Sequence, residues 1–269
     1  MMIIGEKING SIPSVAEAIA RRDAAYIRKL ALDQARAGAE FIDCCASVPE
    51  QIEVQTLRWL IECIESVTDL PIALDSPSAD VLAEAYKFCK RPGLINSVSG
   101  EGHKLERIFP ILAQNRDWQV IALLSDDTGI PSDAAGRLQV FEKIMDKASQ
   151  YGIDPGRIHI DPLVESLCTS EDGIGTNIQV ISAVRERCPS VHITSAVSNI
   201  SFNLPARRLL NQSFTVLAMN AGLDSVILDP TDRELMGVIF ATEALLGRDD
   251  YCMEYIGAYR KGLFGPTIK

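Results

Sequence analysis

The chain has 269 residues, 47% hydrophobic and 23% charged, which is the usual length of one α/β barrel and enough to bury a sizeable core. A net charge of −10 and a pI near 4.9 exclude nucleic acid and anionic membrane as main partners, because both reward clustered Lys and Arg. Seven cysteines without a C-x-x-C pair read as free thiols in a reducing cytoplasm, and no apolar run approaches the ~18 residues that cross a bilayer.

In chain order, a strand is predicted at Ile3-Ile4, running into Glu6 and Asn9, followed by one long Ala-, Leu- and Arg-rich helix over 13–39. Phe41-Ile42 reads as a second strand ending at Asp43. The helix over 50–68 then places Ile52, Leu57, Leu60, Ile61 and Ile64 on one face. Ile72-Ala73-Leu74 reaches Asp75-Ser76 before a helix over 78–90, and Leu94-Ile95 reaches Asn96-Ser97 before a helix over 103–115. Val120 to Leu124 reaches Asp126-Asp127, with a helix over 133–151; Ile158 to Ile160 reaches Asp161, with a helix over 172–188. Val191 to Val197 ends at Ser198-Asn199 before a helix over 205–221, and Val226 to Leu228 ends at Asp229. Residues 232–269 read as the last barrel helix and a C-terminal arm, which carries Tyr251, Tyr255, Tyr259 and Phe264 and packs on the barrel or on a second subunit.

Eight β-then-α units with no long polar linker predict a single-domain (β/α)8 TIM barrel over residues 1–269. A doubly wound sheet would put a glycine-rich turn after the first strand, but Gly5-Glu6-Lys7-Ile8-Asn9-Gly10 is not G-x-G-x-x-G. In a barrel the strand ends converge on one mouth, here rich in carboxylates and amides and nearly free of Lys and Arg. Such a mouth suits a neutral ligand with N–H donors better than a phosphate. Any one strand-end Asp also reads as a cap for the following helix. Asp126-Asp127 reads as a cap or solvated loop before a Mg²⁺ pair, and His103, His159 and His192 are too scattered for a ligand motif, so no metal is expected. Neither Ser198 nor Ser201 lies in a G-x-S-x-G elbow.

A set of strings occurs in order along nearly the whole chain: Ile4-Gly5-Glu6-Lys7-Ile8-Asn9, Leu74-Asp75-Ser76, Ile95-Asn96-Ser97-Val98-Ser99-Gly100-Glu101, Asp126-Asp127-Thr128-Gly129-Ile130-Pro131 and Asp161-Pro162-Leu163. Ser198-Asn199-Ile200-Ser201-Phe202-Asn203-Leu204-Pro205-Ala206-Arg207 and Ala221-Gly222-Leu223-Asp224 complete it. Together they resemble the methyltetrahydrofolate:corrinoid methyltransferases, pterin-binding barrels that exchange a methyl group with a corrinoid protein.

The resemblance implies tetrahydrofolate or 5-methyltetrahydrofolate as substrate, cobalamin carried by a partner corrinoid protein, and a homodimer. It implies a pterin held by Asp75, Asn96 and Asp161, with Asn9, Asp43 and Ser198 around it. Asn199 is the amide that hydrogen-bonds N5, and Asp75 and Asp161 join it as catalytic residues. The chemistry is consistent: a neutral tertiary amine leaves poorly, so N5 needs a proton or a strong hydrogen bond as its bond to the methyl breaks. One donor engaged mainly in the transition state contributes on the order of 3 kcal/mol. Arg207 is expected to anchor the loop after the seventh strand. Two departures, Asp43-Cys44-Cys45-Ala46-Ser47 in the second strand and Asn203 where a Gly is usual, imply a subgroup with its own corrinoid partner, one reading being methylamine or betaine catabolism with flow from methylcorrinoid to tetrahydrofolate. The alternatives are a dihydropteroate synthase-like condensing enzyme, which needs cations for a departing pyrophosphate, and a non-catalytic folate-binding or corrinoid-docking subunit.

Overall fold

Short apolar runs bounded by turns become eight parallel strands in the computed structural model, which describes residues 1–266. They are β1 Met2–Asn9, β2 Phe41–Cys45, β3 Ile72–Asp75, β4 Leu94–Gly100, β5 Gln119–Asp126, β6 Ile158–Asp161, β7 His192–Ile193 and β8 Ser225–Leu228. Hydrogen-bonded neighbours run β7-β6-β5-β4-β3-β2-β1-β8. The ring closes where the Ile227 N–H donates to Ser195 O at 2.9 Å and Asp224 N–H to Ile193 O at 3.2 Å. This is the expected (β/α)8 barrel.

Around it lie α1 Pro13–Ala20, α2 Ala24–Arg36, α3 Glu50–Glu65, α4 Ala79–Ala85, α5 Lys104–Gln114, α6 Ala134–Gln150, α7 Gly175–Arg187, α8 Arg207–Ala221, α9 Arg233–Leu245 and α10 Met253–Arg260. The helix expected over 13–39 is therefore two. Arg22 takes a positive φ of 53°, and the Asp23 side chain accepts from Tyr26 N–H to start a new helix. The seventh strand is also shorter than expected, because its ladder with β6 covers only His192 and Ile193 before the chain turns toward β8. The arm packs on the barrel: Phe264 is buried between Phe240, Tyr255 and Tyr259, with ring centroids 4.9–5.9 Å apart. Its last residues, 267–269, lie outside the described residues.

Side chains alternate along a strand, so every second residue points into the barrel. Ile4, Phe41, Ala73, Leu94, Ile121 and Ile227 form a buried apolar plug there, separate from the larger core between sheet and helices. Below the plug the floor is polar. His159 is fully buried; its Nε2 lies 2.7 Å from Gln119 Oε1, its Nδ1 3.3 Å from Ser225 Oγ, and its ring stacks on His192 at 4.7 Å. His192 in turn meets Asp224 at 3.1 Å, and Arg185 meets the same carboxylate at 3.0 Å. Two histidines 33 positions apart in the chain are thus brought together by β6–β7 register, which pairs His159 with His192. Burial, then the neighbouring His192, push the His159 pKa down to about 3. A neutral ring donating from Nε2–H to Gln119 and accepting from Ser225 satisfies all three groups.

Replacing His159 by Ala strands Gln119 and Ser225 in the floor and opens a cavity, and should cost about 3 kcal/mol in urea denaturation at pH 7. Because the folded pKa is depressed below 6.5, the stability this residue contributes is full above 6.5 and declines as pH falls toward 3. The gap between wild type and variant should therefore narrow in acid; a pH-independent gap would contradict a buried neutral histidine.

Candidate functional site

Two residues beyond four of the six plug residues, the same strand face carries a polar group at the mouth: Ile4 leads to Glu6, Phe41 to Asp43, Ala73 to Asp75 and Leu94 to Asn96. Ile121 leads instead to the apolar Leu123 and Ile227 to Asp229, while the floor residue His159 leads to Asp161. Period two thus delivers four carboxylates and an amide to the inner wall of the mouth. Asp43 and Asp161 are buried, and the Asn96 amide donates to Asp43 Oδ1 at 3.2 Å.

These carboxylates are not caps. The helix after Asp75, α4, is capped by Ser78, and the helices after Asp43 and Asp161, α3 and α7, start at Pro49 and Ile174 without any side-chain cap. Asp126 and Asp229 serve turns, each accepting from the N–H and hydroxyl of a Thr two residues on, and Asp127 accepts from Gly102 N–H at 2.7 Å. Asn9 is a turn residue too: its Oδ1 accepts from Ser11 N–H at 2.9 Å and Ser47 Oγ at 3.4 Å, so its oxygen is committed at the rim.

The inward carboxyls are crowded and poorly solvated. Burial pushes the Asp161 pKa up to about 7, against the pull of the Leu163 N–H, 2.8 Å from Oδ1, and of Arg137. Burial likewise raises Glu6 to about 6, with Asp229 adding repulsion and Ser198, Lys7 and Arg207 opposing it. Asp43 and Asp75 are both raised, by burial first; Asp75 repels Asp43, and Glu53 repels Asp75. The cations nearby are already engaged. Lys7 pairs with Asp229 at 2.9 Å. Arg137, itself buried, donates to the carbonyls of Pro131, Pro162 and Leu163 and pairs with Glu165 at 2.8 Å.

After β7 the chain makes a 3-10 turn, Val197–Ser201, that carries Ser198 and Asn199. Its backbone is clamped from three sides. Arg207 donates to Ser198 O at 2.7 Å and Ser201 Oγ at 3.0 Å, the Leu167 N–H to Ile200 O at 3.1 Å, and Ser166 Oγ to Phe202 O at 2.7 Å. The Ser198 hydroxyl donates to Glu6 Oε2 at 3.1 Å. Arg207 is thus a loop anchor, as expected. Asn203 has φ 63°, a left-handed conformation that Asn tolerates better than other non-glycine residues, which accounts for an Asn at this turn. Asn199 is exposed, and among the described residues its amide has no hydrogen-bond partner.

The structure therefore gathers Asp43, Asp75, Asn96 and Asp161 on the inner wall, hangs Ser198 and Asn199 from the β7–α8 loop, and leaves Asn9 at the rim. Glu6, the first strand-end carboxylate of the sequence, lines the mouth with them, and the structure adds Arg137, a charged side chain on the buried face of α6.

The chain is 43% identical over 268 residues to the methylcorrinoid:tetrahydrofolate methyltransferase of Eubacterium limosum, covering 99% of both proteins. It is 32% identical over 241 residues to the methionine synthase of Mycobacterium leprae, covering 85% of this chain and 20% of that protein. Among solved structures, a dihydropteroate synthase from Xanthomonas albilineans in complex with 7,8-dihydropteroate superimposes with a TM-score of 0.65 over 91% of this chain and 93% of that one; at 19% identity the likeness is one of fold. The family model described as pterin binding enzyme matches residues 6–229, a span that begins at the first mouth carboxylate and ends at the last strand-end Asp, and the chain belongs to that family.

Proposed function

We propose that this protein transfers a methyl group between the cobalt of a corrinoid, carried on a separate protein, and N5 of tetrahydrofolate. The observation that carries this reading is the placement of Asn199: an uncommitted amide on a clamped turn, beside a mouth lined with buried carboxylates. Asp75, Asn96 and Asp161 are assigned to the pterin, with Asp43 holding Asn96 and Ser198 holding the turn. A pterin edge presents a 2-amino group and a ring N–H side by side, and a carboxylate accepts both. The amide donates to N5, and Asp75 and Asp161 fix the ring so that N5 faces the arriving methyl. Flow from methylcorrinoid to tetrahydrofolate is supported by the name of the Eubacterium limosum relative. A condensing enzyme that expels pyrophosphate is disfavoured, because Lys7, Arg137 and Arg207 are all tied into pairs or carbonyl contacts. Mixing the protein with methylcobalamin and tetrahydrofolate should release cobalt(I), followed in the visible spectrum, with a rate that falls about 100-fold in Asn199→Ala. A wild type that binds no folate would sink the pterin reading.

The raised pKa values make a second expectation. N–H donors from a bound pterin favour the ionised carboxyls, so binding between pH 6 and 7 should release protons. Calorimetry in buffers of different ionisation enthalpy reads this release, and Asp161→Asn should abolish most of it while weakening binding. The folded pKa of Asp161 lies above its unfolded value of 3.8, so its contribution to stability is full below that value and is lost as pH rises through 7. Asp161→Asn should accordingly raise the apo melting temperature at pH 8 by about 2–4 °C and by less at pH 5. An unchanged proton count would remove Asp161 from the anchor.

The whole chain is assigned to one pterin-binding domain, residues 232–266 forming its last barrel helix and the described part of its arm. A cytoplasmic location is supported by seven unpaired thiols. Among the described residues no helix is long and apolar enough to cross a membrane. A homodimer is supported by Leu209, Val216 and Leu217, exposed along α8. Light scattering should give twice the 29.4 kDa chain mass, and Leu217→Glu should shift it toward the monomer.

A further inference from the structure

Methylation of N5 of tetrahydrofolate leaves a proton that has to go somewhere. The bond from N5 to the methyl carbon forms as the cobalt–carbon bond breaks, the electron pair stays on cobalt as cobalt(I), and N5 becomes a protonated amine. Asn199 cannot take that proton, because an amide does not ionise in this range. Asp75 and Asp161 are assigned to the pterin edge, and Asp43 is held by Asn96. Glu6 is the inward carboxylate with no such assignment, and it already accepts from the hydroxyl of the residue before Asn199, at 3.1 Å.

We propose that Glu6 is the proton acceptor of the reaction, acting through the Ser198 hydroxyl; the proposal rests on the folate methyl-transfer reading. The N5 proton passes to Ser198 Oγ as the hydroxyl's own proton passes to Glu6 Oε2, and the charge balances. In the reverse direction the protonated Glu6 returns it to N5 as the methyl leaves. The surroundings fit the task. Asp229 beyond β8 and Asp43 on β2 repel its charge, while Lys7 on β1, itself paired with Asp229, and Arg207 on α8 attract it. Burial dominates, so the group sits near the pH at which it both takes and gives a proton. Arg207 also fixes the Ser198 carbonyl, which keeps the hydroxyl on the Glu6 side of the turn.

The test is transfer from methylcobalamin to tetrahydrofolate, at saturating folate, from pH 5 to 8. In the wild type kcat should rise with pH through an inflection near 6, because Glu6 has to be ionised to accept. Glu6→Gln should lower kcat on the order of 100-fold and lose that inflection, with tetrahydrofolate Kd within about twofold. Glu6→Ala should regain rate on adding formate or acetate, and Ser198→Thr should keep activity that Ser198→Ala loses. Retention of the pH inflection and near-wild-type kcat in Glu6→Gln would overturn the proposal while leaving methyl transfer intact. Parallel loss of folate binding in Glu6→Gln without rescue by small acids would also overturn it, by reducing Glu6 to a structural role. A wild type without transfer or folate binding would instead fail the underlying reading.

Discussion

The site depends on one electrostatic constraint: carboxyls of like charge held in a mouth where burial disfavours the ionised form of each. Asp43, Asp75, Asp161 and Glu6 are all pushed toward the protonated state, and burial is the first cause every time. A surface cluster would relax by turning toward water. These groups cannot, because each is fixed on a strand whose neighbours are fixed in turn by the closed ring. The free energy stored there is relieved by a ligand that brings hydrogen-bond donors without negative charge, and is increased by an anion. The nearby guanidinium and ammonium groups relieve it only in part, since Arg137 and Lys7 are already held by carbonyls or other carboxylates and burial outweighs their pull. The proposed preference for an N–H-rich edge therefore rests on what surrounds the carboxyls as much as on the carboxyls.

The barrel supports this by stacking three unlike layers along one two-residue period. The apolar plug of Ile4, Phe41, Ala73, Leu94, Ile121 and Ile227 separates the mouth from the polar floor. Each large aliphatic buried there contributes about 2 kcal/mol. The floor spreads its polar contacts over β5, β6 and β8 through one neutral histidine, so it fixes relative strand positions without burying an unpaired charge. Gly5 serves the same register. A side chain there would come within 2.4 Å of the buried Gln34, whose Oε1 accepts from Lys7 N–H at 2.9 Å and docks α2 on β1.

Much of this was legible in the sequence, for physical reasons that differ between residues. The strands announced themselves because each short apolar run stops at a polar residue, and the same stop marks the mouth. Asp43, Asp75 and Asp161 could not be told from caps in the sequence, since capping and lining use the same side chain. In the structure Ser78 caps the helix after Asp75, and the helices after Asp43 and Asp161 start at Pro49 and Ile174 without a side-chain cap. The break at Arg22 was hidden because an Ala-rich stretch reads as helix on both sides of it, and a single positive φ leaves no compositional trace. The meeting of His159 and His192 depends on strand register, a long-range property. Arg137 was equally opaque: it lies buried because three loop carbonyls beyond β5 and β6 converge on it.

The mouth is also divided in kind. On β2, β3, β4 and β6 the polar groups Asp43, Asp75, Asn96 and Asp161 sit on the sheet, where they are as rigid as the ladder. On the seam of β7, β8 and β1 the amide of Asn199 hangs from a loop, and rigidity has to be built separately. Hydrogen bonds from Arg207, Ser166 and the Leu167 N–H, together with the Ser198–Glu6 contact, fix the backbone and leave the Asn199 side chain exposed. On the proposed reading, a fixed backbone with a free amide would keep the donor near N5 and let its hydrogen bond shorten as charge moves on that nitrogen, so that the interaction is strongest in the transition state. A second protein delivering cobalt has to approach from the open side. With Asn199 exposed at the rim and Asp75, Asn96 and Asp161 on the inner wall, the proposed donor and anchors would let both substrates meet without either displacing the other.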